Sequence, residues 1–406
     1  MLLPVSGKRF RRGIVVAAVS TLALAAALLF VWAYPLPAVW YDSVEYLSLA
    51  RNLAEGKGFT QDGATPAVYR PPLFSTLLGG WFFITGTSSP LSAAVLQSFF
   101  HAAGTAFALL LFLELTPSLA WAICAALFLA VNPLLVTRVV FVLQEPTLLL
   151  FTTLAVWMSV RWIKNPSTPR AALAGAAWGL CTLAKAVAWF APFLVVAMRF
   201  FPGVRRRDGG VRGPVALLLC FAAVVAPWTI RNFVHFQRFI PVNGQGEGML
   251  KWNVSLAEIP GEPPGERFIE ELDRQGVTGE ARTARYWKYV FDHPVYFLGY
   301  RVVRNAVRFA NPARDWWWDR GRYGAGEPRP WYWGMYDMLH RSLFLCLLYR
   351  GCLALRGSTL APAGFAAIFA CAYWGLHAVL LGEGRFALAI YPLLAAMPLP
   401  WEDHET

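Results

Sequence analysis

The sequence predicts an all-α polytopic membrane protein. Three observations carry that reading: 57% of the 406 residues are apolar, only 15% are charged, and the apolar residues fall in long unbroken runs. A soluble chain carries about a quarter charged residues and is less than about one-half apolar, whereas runs of about 20 apolar residues are what a bilayer crossing needs. The mean hydropathy of +0.45 agrees. Eighteen Trp and 29 Phe exclude an unstructured chain. A formal charge of +12 would suit nucleic acid in a soluble protein. In a membrane chain the position of the positives matters more than their sum.

The first span follows Lys8, Arg9, Arg11 and Arg12 and runs from Gly13 to Tyr34. As a helix this is about 33 Å long, enough to cross and too long for the apolar core of a cleavable signal. Further spans are expected at about 90–113, 118–133, 146–162, 170–185, 188–201, 214–230, 336–355, 359–381 and 386–401, making ten, with Trp and Tyr near many ends. Basic residues orient them. Arg161, Lys164 and Arg170 share one connection, Arg199, Arg205, Arg206, Arg207 and Arg212 another, and Arg350 and Arg356 a third. Those connections and both termini are then cytoplasmic, holding 14 basic against five acidic residues. Segments 35–89, 134–145, 185–188, 231–335 and 382–385 lie outside. Pro71–Gly86 is apolar but about 16 residues long, so it is expected to lie in the outer interface or dip into the bilayer.

The division expected is 1–230 as an N-terminal membrane module whose first outer loop (35–89) carries catalysis, 231–335 as an outer-face subdomain, and 336–406 as the last spans. In the first loop, 43–54 reads as an amphipathic surface helix, with Val44, Leu47, Leu49, Ala50, Leu53 and Ala54 on its apolar side. Asp42 at the N-cap with Glu45 at N3 forms a capping-box pattern, and Gly56 closes the helix. Asp42 is therefore either a cap or a functional acid. Arg70, between Tyr69 and Pro71-Pro72, is either a snorkelling arginine or an anion ligand. Glu145 before Pro146 is an ordinary helix start or a second site acid. Lys185 interrupts an apolar hairpin at its outer turn, where it needs water or an anion; Glu383 and Arg385 occupy the last outer turn. Asp42, Arg70, Glu145, Lys185 and Arg385 come from five different connections yet map to one face. Carboxylates and cations gathered at a membrane surface suit a lipid-linked phosphate donor and a hydroxyl acceptor.

Several runs resemble a known family. Asp42, Tyr46, Ala50–Leu53 and Gly56-Lys57-Gly58-Phe59, followed by Tyr69-Arg70-Pro71-Pro72-Leu73, are similar to the first-loop signature of polyprenyl-phosphate-sugar glycosyltransferases of the GT-C fold. That family includes protein mannosyltransferases and bacterial aminoarabinose transferases. Asn132-Pro133, Arg138 and Glu145 resemble its second outer loop, and Gly175–Lys185 a family hairpin. Ala226-Pro227-Trp228-Thr229-Ile230-Arg231-Asn232, then Phe239–Asn243 and Gly246, resemble the end of its seventh span; Gly384-Arg385-Phe386 with Tyr391-Pro392 resembles its last. The resemblance implies Asp42 as general base toward the acceptor hydroxyl, Glu145 as a second acid, Arg70 as a donor-phosphate ligand, and Lys185 and Arg385 as further phosphate cations. Glu45, Tyr69, Arg138 and Glu383 complete the candidate site. It also implies a multi-pass protein of the cell inner (plasma) membrane, with the site facing outward. Family members often carry a second acid directly after the first-loop aspartate; Ser43 stands there, so no metal and no other cofactor is expected. Expected partners are the polyprenyl-phosphate-linked sugar donor, a glycan, lipid or protein acceptor, and membrane lipids, with no nucleic acid.

A transporter or flippase of lipid-linked sugars would show repeated halves and midplane charges; here no internal repeat occurs and the charges gather at one face. A polysaccharide polymerase or ligase would draw on the same donor and stays open. In 231–335, with 15 basic and 12 acidic residues, Glu266–Gln275 and Ala281–Phe291 read as helices and Pro294–Phe309 as amphipathic. Trp316-Trp317-Trp318, Trp331 and Trp333 read as interfacial anchors. Asn253-Val254-Ser255 is a glycosylation sequon by pattern. His101 and His377 within spans read as polar packing contacts. Six cysteines inside apolar stretches read as unpaired thiols.

Overall fold

A computed structural model describes residues 5–33, 41–199, 210–311, 332–356, 362–380 and 384–396. Apart from one isolated antiparallel bridge between Thr60 and Pro66, the regular structure among these residues is helical. In chain order the helices are α1 Val5–Ala33, α2 Tyr41–Ala54, α3 Pro72–Thr85, α4 Pro90–Leu115, α5 Leu119–Ala130, α6 Pro133–Val136, α7 Glu145–Lys164, α8 Thr168–Ala184, α9 Ala191–Arg199 and α10 Arg212–Phe236. They continue with α11 Gln245–Ser255, α12 Gly265–Arg274, α13 Gly279–Asp292, α14 Arg301–Phe309, α15 Tyr332–Arg356, α16 Pro362–Leu380 and α17 Tyr391–Ala396.

Each of the ten expected spans falls on a helical segment, but they differ in length. Among the described residues four helices are long and apolar enough to cross a membrane: Arg11–Ala33 of α1, α4, α7 and α10. A fifth arises if Leu119–Ala130 and Pro133–Val140, bent by 44°, count as one span. The bend has a local cause. Pro133 cannot donate a backbone hydrogen bond to the preceding turn, and Asn132 restarts the helix by accepting from the Leu134 N–H at 2.9 Å. Site residues sit at two of the expected outer turns. Lys185 is extended (φ −155°, ψ 119°) between α8 and the 3₁₀ turn Ala186–Phe190, and the last span opens with the 3₁₀ segment Gly384–Ile390 before α17.

Helix α3 is 14 residues, about 21 Å, too short to cross. It ends at Gly86 in the left-handed conformation (φ 68°). The loop helix predicted at 43–54 forms as α2, with one correction. Asp42 lies inside its first turn instead of capping it, and the Asp42 and Glu45 carboxylates turn away to Arg70. Backbone capping loses because a buried guanidinium gives a carboxylate stronger, charge-assisted bonds.

Packing fixes how these pieces meet. The main core joins α4, α5, α7, α8, α10 and the C-terminal helices, around Trp162, Trp178, Phe112 and Phe369. Helices α8 and α10 approach closely through Gly175, where an added Cβ would lie 2.0 Å from the Leu217 carbonyl oxygen, and Gly179, where it would lie 2.7 Å from Val224 Cβ; small residues four apart are how membrane helices come this near. A second cluster, with Tyr46, Leu47, Ala50, Phe74, Leu78 and Val139–Leu143, seats α2 and α3 against α4. A third, around Val254, Ile269, Leu272, Tyr286 and Tyr289, holds α11 to α13 together. Helix α10 runs across residue 230 to Phe236, and α11 is a helix the sequence reading missed, its Gly246 and Gly248 lowering local helix propensity.

Candidate active site

Asp42 and Glu45 stand three residues apart on α2, a spacing that puts both on one helix face. Arg70 meets them from the residue before Pro71-Pro72, the pair that opens α3. Its Nη2 donates to Asp42 Oδ1 at 2.6 Å and its Nε to Glu45 Oε2. The buried guanidinium is flanked by aromatic rings, with Tyr46 at 5.3 Å and Tyr69 at 5.1 Å from its central carbon. Arg385, from the last 3₁₀ segment, reaches the other oxygen of Asp42, Oδ2, at 3.4 Å, and lies 3.8 Å from Glu145 Oε1. One continuous array, Glu45–Arg70–Asp42–Arg385–Glu145, therefore joins α2, the approach to α3, the start of α7 and the final segment.

Burial works to raise the Asp42 carboxyl, but the charges of Arg385 and Arg70, with their hydrogen bonds, outweigh it and hold the group below the ordinary carboxylate value. Burial likewise opposes the Arg70 cation, and Tyr46, Asp42 and Glu45 more than offset it, leaving Arg70 more firmly charged than usual. The Tyr46 phenol, fully buried, is pushed above its ordinary range by desolvation.

Lys185 joins through an aromatic spacer. Its Nζ lies 3.2 Å from the Phe386 ring centroid, and the Arg385 guanidinium carbon lies 5.2 Å from the same ring. Arg138 and Glu145 line a small cavity with His101, Leu135, Pro146, Leu149 and Leu388. Among the described residues no group of three His, Cys, Asp or Glu side chains could hold a metal. Glu383 lies outside the described residues, as do Trp316–Trp318 and Trp331 and the side chain of Trp333. Asn253 of the sequon is helical, its Nδ2 donating to the Met249 and Leu380 carbonyls at 2.9 Å each. His101 Nε2 meets the Ala130 carbonyl and His377 Nδ1 that of Tyr373, both at 3.0 Å.

The supporting residues were less legible. Arg231 donates to the carbonyls of Ala67 (2.7 Å) and Phe59 (3.2 Å), fastening the first loop to the end of α10. Trp228, Thr229 and Asn232 bond the carbonyls of Ile240, Pro241 and Val242. That return segment then meets the loop again, through Asn243 Nδ2 on the Tyr69 carbonyl (3.2 Å) and the Gly244 N–H on that of Val68 (2.9 Å). The run Pro227–Asn232 thus acts as a fastener behind Tyr69-Arg70. Gln97 does the same for Glu145. Buried on α4, it donates to the carbonyls of Val139 (2.9 Å) and Phe141 (2.6 Å) and accepts from the Leu143 N–H (3.3 Å), satisfying the non-helical backbone before α7. A lone Gln in an apolar span was the available signal, since such a side chain needs partners there.

No family model matches this sequence, and no curated protein matches it. The chain is similar in structure to an archaeal oligosaccharyltransferase, AglB from Archaeoglobus fulgidus, in complex with an inhibitory peptide and a dolichol-phosphate. Identity is 14%, over 96% of this chain and 50% of that one, with a TM-score of 0.49. A second structure of the Archaeoglobus fulgidus oligosaccharyltransferase, tethered with an acceptor peptide, is 13% identical over 96% and 49%, TM-score 0.48. ArnT from Cupriavidus metallidurans, bound to undecaprenyl phosphate, is 14% identical over 97% and 78%, TM-score 0.42. This chain spans about half the length of the oligosaccharyltransferases it matches.

Proposed function

We propose that the protein transfers a sugar from a polyprenyl-phosphate donor to a hydroxyl acceptor on the outer face of the plasma membrane. The observation that supports this best is the Asp42 carboxylate held between two arginines, Arg70 at 2.6 Å and Arg385 at 3.4 Å, beside the start of α7. The leaving group, a prenyl phosphate, is already a stable anion, so no general acid is required. The acceptor oxygen attacks the anomeric carbon while the carbon–oxygen bond to phosphate breaks and its electron pair leaves on the phosphate. The acceptor proton passes to Asp42. In-line attack inverts the anomeric centre. Because Asp42 is held strongly ionised, it is a weak base, and proton transfer belongs late in the step, once the attacking oxygen has become acidic.

The geometry shifts one assignment. Arg70 directs two of its five donors to Asp42 and Glu45, which supports a role in orienting the base. Charge on the departing phosphate is better served by Arg385 and Lys185 on either side of Phe386. Glu145 orients Arg385.

The test is transfer of labelled sugar from prenyl-phosphate-sugar in proteoliposomes. Asp42→Asn is expected to lower transfer by at least about 10³-fold, with the amount of folded protein unchanged. An active Asp42→Asn variant would remove Asp42 from the role of base. A flippase would instead move lipid-linked sugar across the vesicle without forming glycosylated product.

A further inference from the structure

Behind the array lies the small cavity between α4, the 133–140 segment and the start of α7. Its volume is about 10 Å³, near the lower limit for one water molecule. Its walls are mostly apolar, but three carry polar groups: His101, Arg138 and Glu145. Two of these leave buried acceptors facing no protein donor among the described residues, Glu145 Oε2 and His101 Nδ1. Both residues are over nine-tenths buried, His101 at 1% and Glu145 at 5% exposure. A buried carboxylate oxygen without a donor is costly, and a bound hydrogen-bond donor would relieve that cost.

The histidine limits which group. Its Nε2 lies 3.0 Å from the Ala130 carbonyl, which can only accept, so Nε2 carries the proton and Nδ1 of the neutral ring is an acceptor. Two unpaired acceptors then belong to residues that line a void with room for one oxygen. A hydroxyl offers one hydrogen; a water offers two.

We propose that the cavity is a site for one structural water that donates to Glu145 Oε2 and His101 Nδ1, making His101 a positioning residue for Glu145. With one oxygen pinned from behind, Glu145 presents the other to Arg385 at 3.8 Å. The water site stands on geometry alone; its effect on turnover rests on the reading of Arg385 given above.

The whole protein in lipid is the sample for both measurements. A crystal or electron cryo-microscopy map that resolves ordered water is expected to show one peak within about 3.2 Å of both acceptors. Ring ¹⁵N spectra, with the His101→Phe variant to assign the signal, are expected to place the hydrogen on Nε2 of His101. A dry cavity, a substrate hydroxyl in place of the water, or a hydrogen on Nδ1 overturns the site. In the transfer assay, His101→Phe is expected to reduce kcat about tenfold with KM for the acceptor little changed. Should that variant fail to fold, Leu388→Phe, which adds volume at the void's apolar wall, is expected to expel the water and lower kcat in the same direction. A water seen in place with kcat unaffected by either variant keeps the site and removes the positioning role. A wild-type protein inactive in transfer would count against the proposed function and leave the map and the spectra to decide the site.

Discussion

At Asp42 burial and charge pull in opposite directions, and the outcome sets the pH behaviour. The carboxyl is lowered in the folded chain, so its contribution is fully present above the unfolded value of about 3.9 and is lost as pH falls through the lower, folded value. Transfer is therefore expected to show no acid limb from Asp42 between about pH 5 and 8, as a rate profile would record. Arg70→Gln removes one of the two cations. Desolvation then weighs more, and the acid limb is expected to move to higher pH. Arg70→Lys keeps the charge but cannot bridge two carboxylates through a planar fork, and an activity loss of about tenfold or more is expected in the same assay. Charge and position along the chain made Asp42, Arg70, Glu145 and Arg385 legible as candidates. Which arginine faces which acid was not legible, because Arg70 and Asp42 are brought together by how α3 packs on α2, and nothing in their local sequence records it.

Close approach between helices is where the elements do their part. An added Cβ at Gly79 on α3 would lie 2.9 Å from Leu53 Cβ and 3.0 Å from the Ala50 carbonyl oxygen on α2. Gly79→Val is thus expected to push α3, and Arg70 with it, away from Asp42. Overpacking of this kind costs about 1–3 kcal/mol, visible as a lower thermal unfolding temperature and reduced transfer; Leu53→Ala, which leaves the obstructing Cβ and the Ala50 carbonyl in place, is expected to restore little of either. At Gly175 the obstacle is backbone, the Leu217 carbonyl, which no side-chain change can move. Gly175→Val is expected to lower folded yield, with no rescue from residue 217. Apolar periodicity and length predicted most of these helices. The expected spans already ended near Asn132, Lys185 and Gly384, but periodicity did not predict the 3₁₀ segments Thr137–Val140, Ala186–Phe190 and Gly384–Ile390 at those turns, nor the Gly-containing α11.

For the whole molecule, the basic residues cluster on the connections predicted to be cytoplasmic, while the acids and arginines of the array sit in segments predicted to be outside. Lys57→Cys, at an exposed position in the first loop, is expected to react with an impermeant thiol reagent on intact cells, and Arg170→Cys only after permeabilisation; the reverse pattern would invert the topology. The array also spans the chain. Asp42 and Arg385 are 343 residues apart in sequence yet share a hydrogen bond, whereas Asp42 and Arg70 are only 28 apart. During synthesis the Asp42–Arg70 pair can form while most of the protein is still unmade, and the Asp42–Arg385 pair must wait for the last outer turn to be made. Under the proposed function, a nascent chain would hold the Asp42–Arg70 pair early but lack Arg385 until last, and so would not draw on carrier lipid before it is finished.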